Sequence, residues 1–155
     1  MIPLTNTSAG ASKEFIVFRL GSMEFAIDIM AVREIRGWTP ATALPHAPSF
    51  VRGVINLRGA VLPIVDLAER LGFDPIELSA RRVVIVVQIA GRLVGLLVDA
   101  VSDILSQPIE KIQPIPDVAS EVVKLYVQGV FAFDDRMIGL IRLEHLAPPS
   151  IGEAA

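Results

Sequence analysis

The chain has 155 residues, about one domain's worth and enough for a real core, and its lack of Cys excludes disulfides, thiol nucleophiles and Cys-ligated zinc. A net charge of −3, with no basic cluster beyond Arg81-Arg82, leaves no electrostatic footprint for nucleic acid. The hydrophobic share of 52%, before counting 11 Gly, exceeds the usual ~45–50%, yet the longest stretch free of charged residues is Gly37–Val51, interrupted by three prolines and shorter than the ~20 residues that span a bilayer. A soluble protein is expected, with its surplus apolar surface turned to protein partners. Met1–Ser12 lacks the basic start and apolar core of a secretory signal, so the expected location is cytoplasmic.

In chain order, residues 1–13 read as a frayed tail. Phe15–Leu20, Gly21-Ser22 and Glu24–Ile29 then read as two strands joined by a tight turn, followed by a third segment over Met30–Arg36. Val51–Leu67 is a long apolar hairpin, for which the ordinary reading is that Gly59 supplies the positive φ of the turn and Arg58 points to water, while a functional reading of Arg58 leads. Leu67–Leu71 has the spacing of a short helical turn stopped by Gly72. Val83–Ile89, Ala90-Gly91 and Arg92–Val98 repeat the first hairpin, and Asp99–Leu105 the third segment; 147–155 reads as a second tail.

The repetition is measurable. A shift of 69 residues aligns Phe15–Ile35 with Val84–Ile104 and matches Ile16/Ile85, Val17/Val86, Ala31/Ala100, Val32/Val101 and Ile35/Ile104. A shift of 76 aligns Val51–Leu67 with Val127–Leu143, matching Gly53/Gly129 and Val54/Val130 among others. The expected fold is mainly β: two pseudo-repeated, five-stranded SH3-like barrels, about 14–72 and 83–146, sharing a hydrophobic seam within one domain of 14–146. Chance similarity of Val-rich strands is the competing explanation.

Chemistry is hard to motivate. Neither phosphate-cradling glycine loop occurs, and the two histidines, His46 between prolines and His145 near the C-terminal tail, lack partners at metal-ligand spacing. Asp28, Asp66, Asp99 and Asp103 stand at expected strand ends, with turn capping the reading for Asp66 and Asp99, and Asp134-Asp135 marks a solvated hairpin tip. No catalytic residue, metal or cofactor is expected.

Three stretches carry more. "VRGVINLRGAVLPIVDL", with "FAIDIMAVREIRG" upstream and "VVIVVQIAGRLVGLLVDAVSDIL" downstream, closely resembles the CheW-type coupling proteins of bacterial chemotaxis, in order over about Glu14–Leu146. The resemblance implies a non-enzymatic adaptor linking the signalling tips of methyl-accepting chemoreceptors to the regulatory domain of the chemotaxis histidine kinase, itself a relative with which the adaptor alternates in rings. It implies a receptor groove at Val32, Glu34, Arg58, Val101 and Ile104. It also implies kinase contacts at Gly53 and Val61 on one barrel and at Gln113, Asp117 and Val118 on the other, where Gln113 and Val118 replace the basic and aromatic residues of relatives.

The residues themselves fit a helix-in-groove mode, with Val32, Val101 and Ile104 as an apolar trough and Arg58 as an oriented donor fork, although the three apolar side chains equally fit a core. Arg58 differs from its repeat counterpart Asp134, whereas Glu34 and Asp103 both keep the acid, so only the first copy is expected to form an Arg–carboxylate pair. Two other roles share these features: a coupling protein for a kinase pathway unrelated to motility, and a double barrel that binds a small ligand or catalyses a reaction in the groove between its halves.

Overall fold

The computed structural model describes residues 11–116 and 120–146. Ten strands build it: β1 (Ser12–Leu20), β2 (Met23–Asp28), β3 (Val32–Gly37), β4 (Val51–Leu57), β5 (Ala60–Asp66), β6 (Val83–Ile89), β7 (Arg92–Val98), β8 (Ala100–Pro108), β9 (Val127–Phe133) and β10 (Arg136–Ile141). Two short helices, α1 (Leu67–Arg70) and α2 (Glu121–Tyr126), and 3-10 turns at Ile29–Ala31, Ile109–Lys111 and Leu143–His145 complete it. The first strand starts earlier than expected. Ser12 and Lys13 pair with Pro108 and Gln107, because β8 runs on past Leu105 and offers them a partner.

Two five-stranded sheets result, the first in the order β8-β1-β2-β10-β9 and the second β3-β6-β7-β5-β4. Advancing every label of the first order by five, and wrapping past ten, reproduces the second. The mainly β architecture with an SH3-like pair of sheets is therefore present, and the repeat is real at the level of strand order. The sheets nevertheless do not follow the sequence halves 14–72 and 83–146. Hairpin β1-β2 joins three strands of the second half, through an antiparallel pairing with β8 and a parallel one with β10, and hairpin β6-β7 joins three strands of the first half in the same way. Each half thus places its opening hairpin in the other half's sheet. Hydrophobic periodicity specifies strands and faces but is silent on which hairpin accepts which edge.

Alternation within β1 divides the interior. Phe15 and Val17 face one cluster with Ala26, Leu105, Phe131, Ile138 and Leu140, enclosed by the first sheet alone. Ile16, Phe18 and Leu20 face a larger cluster that reaches through Ile27, Ile85 and Leu96 into the second sheet. That seam joins the two sheets through one continuous apolar cluster.

The helices tie the connectors down. Asp66 is fully buried, caps α1 by accepting from Glu69 N–H at 3.1 Å, and accepts from Arg52 Nη2 at 2.8 Å and Ile76 N–H at 2.9 Å. The capping reading of Asp66 holds. Asp99 does something else: its carboxylate accepts from Gly21 N–H at 2.6 Å, clasping the β1-β2 turn from another strand end. Helix α2 lies in what the sequence presents as connector; Ser120 caps it, and its buried Tyr126 ring stacks on the Arg70 guanidinium, which also covers Phe50.

Candidate functional site

The β4-β5 hairpin turns at Arg58-Gly59, and both residues have positive φ, 51° and 90°. A left-handed Arg is uncommon, and Asn56 helps fix the turn by accepting from Gly59 N–H at 2.9 Å. The turn aims Arg58 back across the sheet, where Nη2 donates to Glu34 Oε1 at 2.6 Å. Glu34 lies on β3 and Arg58 between β4 and β5, at opposite edges of one sheet, so the contact records how strongly that sheet curls. Arg58 does not simply point to water, although its side chain is 72% exposed. The Arg58 hydrogen bond, reinforced by the charges of Arg58 and Arg36, outweighs the upward push of desolvation and holds the Glu34 carboxyl below the usual glutamate range.

The other residues expected at the receptor groove divide by burial. Val32 and Val101 are half-buried against the larger core cluster, each just after a point where the chain crosses between sheets, from β2 to β3 and from β7 to β8. Ile104 is 61% exposed on β8, so for this side chain a core role is excluded. Its repeat mate Ile35, 43% exposed on β3, stands in the equivalent place: Ile104 pairs with Ile16 and Ile35 with Ile85, themselves repeat mates. The 69-residue shift aligns Ile35 with Ile104 in the sequence itself.

Of the residues expected to meet a kinase, Gly53 lies on the outer strand β4, Val61 on its neighbour β5, and Gln113 beside the outer strand β9. Gly53 is buried beneath Thr42, which bridges to Val54 with two backbone hydrogen bonds of 2.8 Å; φ at Gly53 is 138°, and a Cβ there would strike the Thr42 carbonyl. Gln113 makes the same two bonds with Val130 over Gly129. Gly53 is therefore accounted for by the fold in both copies, and it shapes the surface without supplying a side chain. Val61, on β5, is exposed. Asp117 and Val118 lie outside the described residues.

One expectation fails outright. The second half has its own Arg–carboxylate pair, because Arg136, two residues beyond Asp134, donates to Asp103 at 3.1 Å and to Glu24 at 3.0 Å. Positional alignment sets Arg136 opposite Ala60 and so conceals it; Asp103 is a mid-strand partner, not a strand end. Asp28, by contrast, caps the Ile29–Ala31 turn through Met30 N–H, and although burial pushes its carboxyl up, that bond and Lys13 bring it below the usual range.

A cleft of about 530 Å³ beside the first sheet is lined mainly by apolar groups such as Met23, Phe73, Ile115 and Met137, and its charged members Glu24 and Arg136 are paired with each other. Among the described residues no three His, Asp or Glu side chains converge to hold a metal, and no helix is long and apolar enough to cross a membrane.

Comparison with known proteins agrees with the geometry. Residues 14–148 match the CheW-like domain. The chain is 57% identical over 143 residues to a probable chemotaxis protein CheW of Rhizobium etli, covering 92% of each chain. It is 40% identical over 134 residues to the chemotaxis protein CheW of Klebsiella aerogenes, covering 86% of this chain and 81% of that one. The crystal structure of the scaffolding protein TtCheW from Thermoanaerobacter tengcongensis superimposes with a TM-score of 0.80 at 34% identity, over 88% of this chain and 92% of that one. With three separated motifs, the exchanged-hairpin pair of sheets and near-complete coverage of relatives in agreement, this chain belongs to the CheW-like family.

Proposed function

We propose that the protein is a non-enzymatic chemotaxis adaptor that joins the cytoplasmic tips of chemoreceptors to the regulatory domain of the chemotaxis histidine kinase, and that it sits at the membrane only through those partners. The receptor tip, a helical hairpin, lies along β3 and β8 against Val32, Val101 and Ile104, with Arg58 and Glu34 as the polar contacts. The kinase domain meets the outer edges, at Val61 over the frame set by Gly53 and at Gln113 with Asp117 and Val118. Repeat-related outer edges suit two similar contacts made in opposite directions, as a ring requires.

The observation that carries this reading is the Arg58–Glu34 pair. It is exposed, and the fold does not require its cation, because the equivalent turn position in the second half is Asp134 with the same left-handed backbone. A surface Arg the fold can spare, held in a fixed direction, is suited to a partner's carboxylate or carbonyl. Titration calorimetry with a receptor signalling-tip fragment tests this. Arg58→Glu is expected to leave the melting temperature nearly unchanged and to cost ~2–5 kcal/mol of binding, whereas Asp134→Arg costs much less. Equal losses from the two variants, or unfolding by Arg58→Glu, would remove Arg58 from the partner surface.

A further inference from the structure

The inner face of the first sheet ends in charge. Ala26, Leu105 and Ile138 belong to its enclosed apolar cluster, and one alternation step before each stands a charged residue: Glu24 on β2, Asp103 on β8 and Arg136 on β10. Arg136 closes this row, donating from Nη1 to Glu24 Oε2 at 3.0 Å and from Nη2 to Asp103 Oδ2 at 3.1 Å, with its guanidinium 5.5 Å from the Phe133 ring centre. Ser102 Oγ adds a hydrogen bond to Glu24 at 3.1 Å. One cation thereby fastens β8, an edge strand, to β2 and β10, which lie beyond β1 in the sheet.

Asp103 stands between Val101 and Ile104, so on the proposed reading the fastened point lies within the stretch of β8 that meets the receptor tip. The repeat-related strand β3 has Arg58 at the corresponding acid, but that side chain is 72% exposed against 35% for Arg136. The two cations are therefore differently committed. Arg58 has most of its surface free for a partner; Arg136 spends both terminal nitrogens on its own fold.

We propose that Arg136 is a positioning residue of the receptor groove: through Asp103 it sets the place of β8 and so the presentation of Ile104, without touching the receptor. The proposal rests on the reading that the tip lies along β3 and β8. Its physical basis is that an edge strand is bonded to the sheet on one side only, and that removing Arg136 leaves two carboxylates facing each other with no cation between them, an arrangement that drives β8 outward.

The test measures binding of a receptor-tip fragment together with amide hydrogen exchange in the full chain, for Arg136→Met, Asp103→Asn and Arg136→Lys beside Arg58→Glu. Arg136→Met is expected to weaken binding by about tenfold or more and to speed exchange of β8 amides while those of β6 keep their protection. Asp103→Asn, which leaves Arg136 on Glu24, acts in the same direction with a smaller loss, and it decides the matter should Arg136→Met fail to fold. Arg136→Lys recovers part of the binding. If Arg136→Met, or Asp103→Asn in its stead, bound like the unaltered chain in an assay where Arg58→Glu loses affinity, the positioning role would be overturned and the groove would stand. If the unaltered chain did not bind, or Arg58→Glu had no effect, the groove reading itself would fail and this proposal with it.

Discussion

In the first half of the chain a cation leaves a hairpin tip to meet an acid in solvent; in the second, a cation two residues further on is drawn under the sheet to hold two acids at once. Strand order, the Thr42 and Gln113 bridges and the close-approach glycines Gly53 and Gly129 are common to both halves. The charged groups are not. Asp66, the buried anchor of α1 and of the connector at Ile76, has Arg142 as its repeat counterpart, whose buried Nε has no hydrogen-bond partner among the described residues. The two halves share what backbone geometry demands and differ in their side chains, so that one carries an exposed ion pair and the other a less exposed cation held by two acids.

The hairpin exchange offers the severest way to break this comparison. A fragment of residues 14–72 would leave β1 without β8, β2 without β10, β3 without β6 and β5 without β7. It is expected to show no cooperative transition by circular dichroism, while the full chain melts in a single calorimetric step. A stably folded half would mean that the halves can close on themselves.

A smaller effect is expected at the anchor. Asp66→Ala strips the Arg52 cation and the α1 and Ile76 amides of their acceptor in a buried place, and denaturant titration should show a loss of about 3–5 kcal/mol. Arg142→Ala should cost clearly less. Comparable losses would make the two positions equivalent in spite of their opposite charge.

The smallest effect sharpens the contrast of the two cations. Because Arg58 lowers the Glu34 pKa in the folded chain, this pair contributes in full above the usual glutamate range and is lost as pH falls through the depressed folded value. Carboxyl NMR titration should place the Glu34 midpoint below that of an unpaired glutamate, and Arg58→Ala should move it upward. A midpoint indifferent to Arg58 would mean that the pair does not persist in solution.

Much of this was legible in the amino-acid order. Alternation and turn chemistry located most of the strands, the two shifts located the repeat, and three motif-bearing stretches pointed to the family, because these signals are local or depend only on order along the chain. The pairing of Glu34 with Arg58 was open as a possibility for the same reason: the two types are complementary, and Arg58 has no basic counterpart at its position in the other copy. What the sequence could not decide was partnership across distance. Which sheet takes each opening hairpin depends on edges brought together from residues such as Asp103 and Val17, far apart in the chain. Helix α2 is too short for its own propensity to announce it and exists where Tyr126 can stack on Arg70. Arg136 was hidden because positional alignment compares residues at equal offsets, whereas a long guanidinium finds its carboxylates by reach. Only the curl of the sheet brings Glu24 and Asp103 within that reach.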